Sequence, residues 1–143
     1  MAGLSPAMTV ATVRLLVLSC RMRTGPVSRW AAVAGAALLA AIVAATFVPA
    51  AWQVRLGLHW LLEHFLAYFA LTLVFSIATR RPMAVASVLL PLAILLESLQ
   101  ALTADRVADA VTALFAAAGV ASAALLADLA IALGSKAASG PKA

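Results

Sequence analysis

"AAVAGAALLAAIVAATFVPAA", Ala31 to Ala51, carries no charged residue. At 1.5 Å per residue, about 20 such residues cross a hydrocarbon core of roughly 30 Å. The whole chain continues in this style. Its 143 residues are 66% hydrophobic and 10% charged, with a mean hydropathy of +1.11. A soluble single domain has too little interior to hide that much apolar side chain, so the solvent is a bilayer.

Four segments reach membrane length: roughly Trp30–Trp52, Trp60–Thr79, Met83–Leu102 and Val107–Leu129. The links "QVRLGLH", "RRP" and "TADR" separate them. Trp30, Trp52 and Trp60 fall at span ends, where indole rings favour the headgroup layer. The expected fold is an all-α polytopic bundle of four transmembrane helices. Residues 1–29 are then a cytoplasmic N-terminal segment, 30–134 the membrane domain and 135–143 a small, polar, disordered tail.

A net charge of +5 would suggest nucleic acid in a soluble protein. Here the cations sit at segment ends, and nucleic acid is not an expected partner. One side of the membrane would carry Arg14, Arg21, Arg23, Arg29, Arg80, Arg81, Lys136 and Lys142, the other Arg55 and Arg106. This bias places both termini in the cytoplasm and the protein in a cell (inner) membrane. The single cysteine, Cys20, excludes an internal disulfide. "LLVLSC" resembles a lipoprotein cleavage box, but Arg14 leaves too short an apolar run before Cys20 for a signal peptide. "MRTGPVSRW" from Met22 reads as an alternative start, with the preceding residues dispensable.

Ala32, Ala36, Ala40 and Ala44 share a face of the first span, and Ala113, Ala117 and Ala121, flanked by Gly119, share one of the fourth. Small residues at this spacing let helix backbones approach closely in lipid; a general excess of alanine is the other reading. Pro91 is expected to kink the third helix.

The acidic residues converge at one depth. Glu63 and His64 lie about one turn below the outer end of the second helix, and Glu97 roughly 8 Å below that of the third. Gln100 stands one turn above Glu97, Asp109 opens the fourth helix, and only Asp128 lies toward the opposite end. A carboxylate inside a span needs a partner in the bundle, so Glu97 is expected to bond His64, Tyr68 or Arg106, or to be protonated. The cluster is then a clamp between helices, a ligand or headgroup site, or both. In "HWLLEH" the histidines are five apart, about 140° around a helix, which does not suit a zinc site. His64 and Tyr68 share a face instead, and His59 and Trp60 read as interfacial anchors.

These residues resemble a known family. "EHFLAYFALTLVFSIATRRP", "LLESLQ" and then Arg106 and Asp109 are similar to the VanZ-like membrane proteins, especially a short alphaproteobacterial-type branch. The resemblance runs from about Phe47 to Ala124 and implies a polar set of Glu63, His64, Tyr68, Glu97, Gln100, Arg106 and Asp109. The loop before Asp109 is shorter than in the family, and Ala113 replaces an asparagine that many members carry. The family's founding member is linked to low-level teicoplanin resistance. For this chain the resemblance implies an integral membrane protein of undefined activity, whose extracytoplasmic site touches cell-envelope lipid or glycopeptide-type ligands.

Two other readings stand beside it. Alanine-rich faces suit a non-catalytic subunit of a larger membrane complex, or a homo-oligomer. Four helices in a short chain also suit a small proton-coupled exporter, although those place their glutamate in the first helix. No nucleophile beside a base, nucleotide loop, cofactor motif or metal set is visible, so the sequence assigns no enzyme. Acid–base work by Glu97, His64 and Asp109 on a lipid phosphate is the enzymatic alternative. Membrane lipids are partners on every reading.

Overall fold

The computed structural model describes residues 25–48, 57–100 and 109–138. Those residues form four helices: α1 (Pro26–Phe47), α2 (Trp60–Thr79), α3 (Pro82–Gln100) and α4 (Ala110–Ala138). Each is long and apolar enough to cross a membrane, and the described residues contain no strand. The chain is a multi-pass, all-α membrane protein.

The boundaries follow from local chemistry. α1 starts at Pro26, four residues before Trp30, because proline at the first helical position sacrifices an N–H that has no partner there anyway. It stops at Phe47, short of Trp52. Val48 is extended (φ −73°, ψ 134°), as the residue before Pro49 must tend to be. α2 ends where Arg80 turns left-handed (φ 55°, ψ 29°) and its N–H caps the Ser76 carbonyl. Pro82 then opens α3, which runs unbroken through Pro91. α4 begins at Ala110 behind the cap of Asp109, and continues past Leu129 to Ala138. Residues 135–138, expected to be disordered, are thus the last turn of a helix about 43 Å long. The calls on residues 1–24, on Trp52, Arg55 and Arg106, and on the remainder of the tail lie outside the described residues.

The interior is small and polar, and the exterior large and aliphatic. Leu71, Ala86, Leu89, Ala93, Ala116, Val120 and Ala124 form the core with Tyr68. Among them lie Thr46, Thr72, Ser76, Glu97 and Thr112, all buried. Trp30, Val33, Ile77, Val88, Ile94, Leu95, Leu114, Leu125 and Leu129 stand exposed. Water would penalise that surface severely, whereas lipid tails are as apolar as the side chains that face them. Two of the buried hydroxyls bond the carbonyl one turn back, Thr46 to Ile42 and Thr72 to Tyr68, which satisfies them where no water is present. The Thr112 hydroxyl donates to the Asp109 carboxylate, and that of Ser76 has no partner among the described residues.

α4 packs against α2 and α3, while α1 rests on α2 and more lightly on α3. Gly35, near the middle of α1, meets the ring of Phe75 on α2; as successive membrane-length spans the two run antiparallel. Gly119, in the first half of α4, meets the backbone of Phe65 and Phe69 in the first half of α2, so these two run parallel. One end of the bundle therefore gathers the ends of α1 and α3 and the starts of α2 and α4. The other gathers Arg29, Arg80, Arg81 and Lys136.

Small residues do make the close contacts, but not along the expected stripes. On α4 the buried residues are Thr112, Ala116, Gly119, Val120, Ala123 and Ala124, whereas Ala113 and Ala117 are half-buried and Ala121 is exposed. On α1, Ala36, Ala40 and Ala44 are exposed and Gly35 is buried. Leu38, Leu39 and Ile42 fill in beside it against the core.

A Cβ at Gly119 would collide with the Phe65 carbonyl oxygen, and would stand 3.2 Å from the Phe69 nitrogen. Both are backbone atoms that cannot swing aside. Gly119→Ala is therefore expected to lower thermal stability in detergent, by about 1–3 kcal/mol as overpacking does. Gly134, with nothing within 4 Å of a built Cβ, supplies the control. Gly134→Ala should be neutral, or stabilising by up to about 1 kcal/mol through helix propensity. Equal behaviour of the two variants would refute the close α2–α4 approach.

Candidate functional site

Three of the expected polar residues, Glu97, Gln100 and Asp109, meet where α3 hands the chain to α4. Glu97 lies in the last turn of α3 and is 7% exposed. One carboxylate oxygen accepts from the Gln100 side-chain amide at 3.1 Å, and the other from the backbone N–H of Asp109 at 3.1 Å. The expected partners of Glu97 were side chains. Instead, a main-chain N–H across the α3–α4 turn takes one oxygen, and the glutamine one turn on takes the other. Tyr68 is buried in the core on α2.

Asp109 completes the junction. Its Oδ1 accepts from the Val111 N–H at 3.1 Å and its Oδ2 from the Thr112 hydroxyl at 2.9 Å, while its carbonyl receives the Ala113 N–H. This is an N-cap, satisfying one of the donors that a helix start leaves open. Asp109 lies just outside the membrane-crossing helix. Its carboxyl is held below the usual carboxylate range, chiefly by the Val111 N–H and then by the Thr112 hydroxyl. Thr112, 1% exposed, is the member that sequence reasoning missed. The signal available was the Asp-x-x-Thr spacing, which brings a hydroxyl at the third helical position back to the cap.

The start of α2 supplies the rim. Glu63 accepts from the Leu58 N–H at 3.3 Å, folding its carboxylate back over the residues ahead of the helix. His64 is half-buried. Its Nδ1 stands 3.0 Å from the Trp60 carbonyl, and its ring meets the Trp60 ring edge-on with centroids 5.8 Å apart. An Nδ1–H donated to that carbonyl leaves Nε2 as the acceptor. His64 and Tyr68, though four apart, serve different places: the histidine the interfacial Trp60, the tyrosine the core. Arg106 lies outside the described residues.

Both oxygens of Glu97 and both of Asp109 are thus occupied by donors of the chain itself. These bonds tie both carboxylates into the geometry of the junction. No three His, Cys, Asp or Glu among the described residues could hold a metal ion together.

Glu97→Leu should therefore destabilise the bundle in detergent by about 1–3 kcal/mol, the scale of a buried N–H left without its acceptor. Glu97→Gln, which retains one oxygen for the Asp109 N–H, should cost less. The pH response is the second readout. A depressed carboxyl stabilises the fold fully above its unfolded pKa of about 3.9, and that contribution disappears as pH falls through the lower folded value. Wild type should therefore lose its advantage over Asp109→Asn below about pH 4, and parallel pH–stability curves would show that the cap carries no charge-dependent stabilisation.

Comparison with protein-family models, with curated proteins and with solved structures gives no match to this chain.

Proposed function

We propose that the chain is a VanZ-like protein of the cell inner membrane with both termini in the cytoplasm. Its acidic end faces outward and receives the headgroup of a cell-envelope lipid, or a glycopeptide-type ligand. The observation that carries this reading is the buried Glu97 carboxylate bonded to the Asp109 N–H. It ties Gln100, Asp109 and the start of α4 together, and on this reading they share the end opposite the exposed arginines with Glu63 and His64. The Lys/Arg bias supplies the orientation. Glu97 acts as the scaffold of this site, and His64, exposed in part and free at Nε2, is the group that meets a ligand.

Lipids retained by the purified protein test the site. Wild type should carry a headgroup class that His64→Ala loses while still melting like wild type. Identical lipid profiles would remove the ligand role. Reporter fusions at Ser135 and within residues 53–58 test the orientation. A periplasmic signal at Ser135 would reverse it.

A second reading, as subunit of a larger membrane complex, is favoured by the exposed alanine face of α1: Ala36, Ala40 and Ala44 have no partner helix among the described residues. A defined companion chain co-purifying in mild detergent would support it.

A further inference from the structure

At the end of the bundle remote from Glu97, α2 stops at Thr79 while its neighbour α4 runs on to Ala138. The two helices are parallel, with Gly119 beside Phe65 and Phe69, so α4 overshoots and leaves a step. A groove of about 520 Å³ occupies that step, lined by Arg80, Ala130, Ile131, Gly134 and Ser135. We propose that it binds the phosphate of an anionic lipid headgroup from the leaflet at this end, a site separate from the acidic one.

Three observations support this. First, Arg80 is exposed, and its guanidinium has no hydrogen-bond or ion-pair partner among the described residues. Asp128, the carboxylate of α4 at this end, makes no ion pair with it. A planar fork of donors at the bilayer edge matches phosphate in geometry and charge. Second, Arg80 is the one non-glycine residue with positive φ among the described residues. Glycine would adopt that helix-ending conformation without a Cβ penalty. The left-handed turn carries the arginine beyond the last turn of α2, into the step. Third, the opposite wall is suited to lipid. Gly134 leaves open space, and Ile131 and Ala130 offer apolar surface to an acyl chain. Arg29, Arg81 and Lys136 lie at the same end and add positive potential, which attracts anionic lipid over about a Debye length.

The test is thermal unfolding of the full chain in mild detergent, titrated with phosphatidylglycerol, phosphatidylcholine or inorganic phosphate. Phosphatidylglycerol alone should stabilise wild type. Arg80→Gly should melt at least as high as wild type without lipid, since glycine relaxes the left-handed turn. Its affinity for phosphatidylglycerol should fall by about tenfold or more, the scale of a lost charge-assisted pair. Gly134→Leu, which fills the groove and leaves every charge in place, should lose the response too. Arg29→Gln, outside the groove, should keep it. An equal response in wild type and Arg80→Gly, or the same loss in Arg29→Gln, would make the attraction a diffuse property of the basic end and overturn the site. Stabilisation by phosphatidylcholine of the same size would show that no anion is read. A match by inorganic phosphate would assign the groove to a soluble ion and overturn the lipid assignment.

Discussion

The backbone contact between Gly119 and the Phe65–Phe69 turn sets the geometry of this bundle. In lipid no hydrophobic force pushes helices together, so association rests on packing density and polar bonds. Missing one Cβ, α4 settles against the carbonyls of α2, and the two form the most extensive interface of the four. α3 then lies along both, presenting Ala86, Leu89, Ala93 and Leu96 at alternating three- and four-residue steps. The larger aliphatic residues are left facing outward, where the hydrocarbon accepts them at no loss.

Charge is arranged along the same axis. The starts of α2 and α4 carry partial positive charge, and Glu63 and Asp109 sit there. The end of α4 carries partial negative charge, and Lys136 sits in its last turn. Glu97 is the exception, since it occupies the end of α3, where the dipole opposes an anion. Its two accepted hydrogen bonds answer that conflict. The Asp109 N–H is at once an orphan donor of a helix start and the counterpart of a buried carboxylate.

Much of the fold was legible because bilayer thickness and composition leave few alternatives. α2 occupies Trp60–Thr79, as its apolar run and flanking links indicate. Helix ends were less legible where punctuation and hydropathy disagree. Pro49 stops α1 inside an uncharged stretch, and α4 continues through Gly134 and Ser135 because nothing there forbids a helix. The packing faces could not be chosen from sequence. In so alanine-rich a chain every face offers small residues at intervals of four, and contact is decided by which of them neighbours Gly119. The polar convergence at the junction of α3 and α4 was visible in the spacing of Glu97, Gln100 and Asp109. The bond that closes it was not, because its donor is a main-chain N–H and side-chain identity says nothing about it.

α1 is the least enclosed of the four helices. Its contacts are with α2 and, lightly, α3, and none with α4 among the described residues. Its hydropathy is also the highest, so the bilayer alone suffices to hold it across the membrane. The bundle thus divides into a cooperative trio and a lipid-solvated companion. Separation of α1 breaks no bond of the acidic junction; it opens the Gly35–Phe75 seam, the packing of Leu38, Leu39 and Ile42 on the core, and the light contact with α3. Local opening with a free energy well below that of global unfolding follows for such a loosely held unit. α1 is therefore the helix whose displacement within the plane of the membrane would disturb the rest of the bundle least.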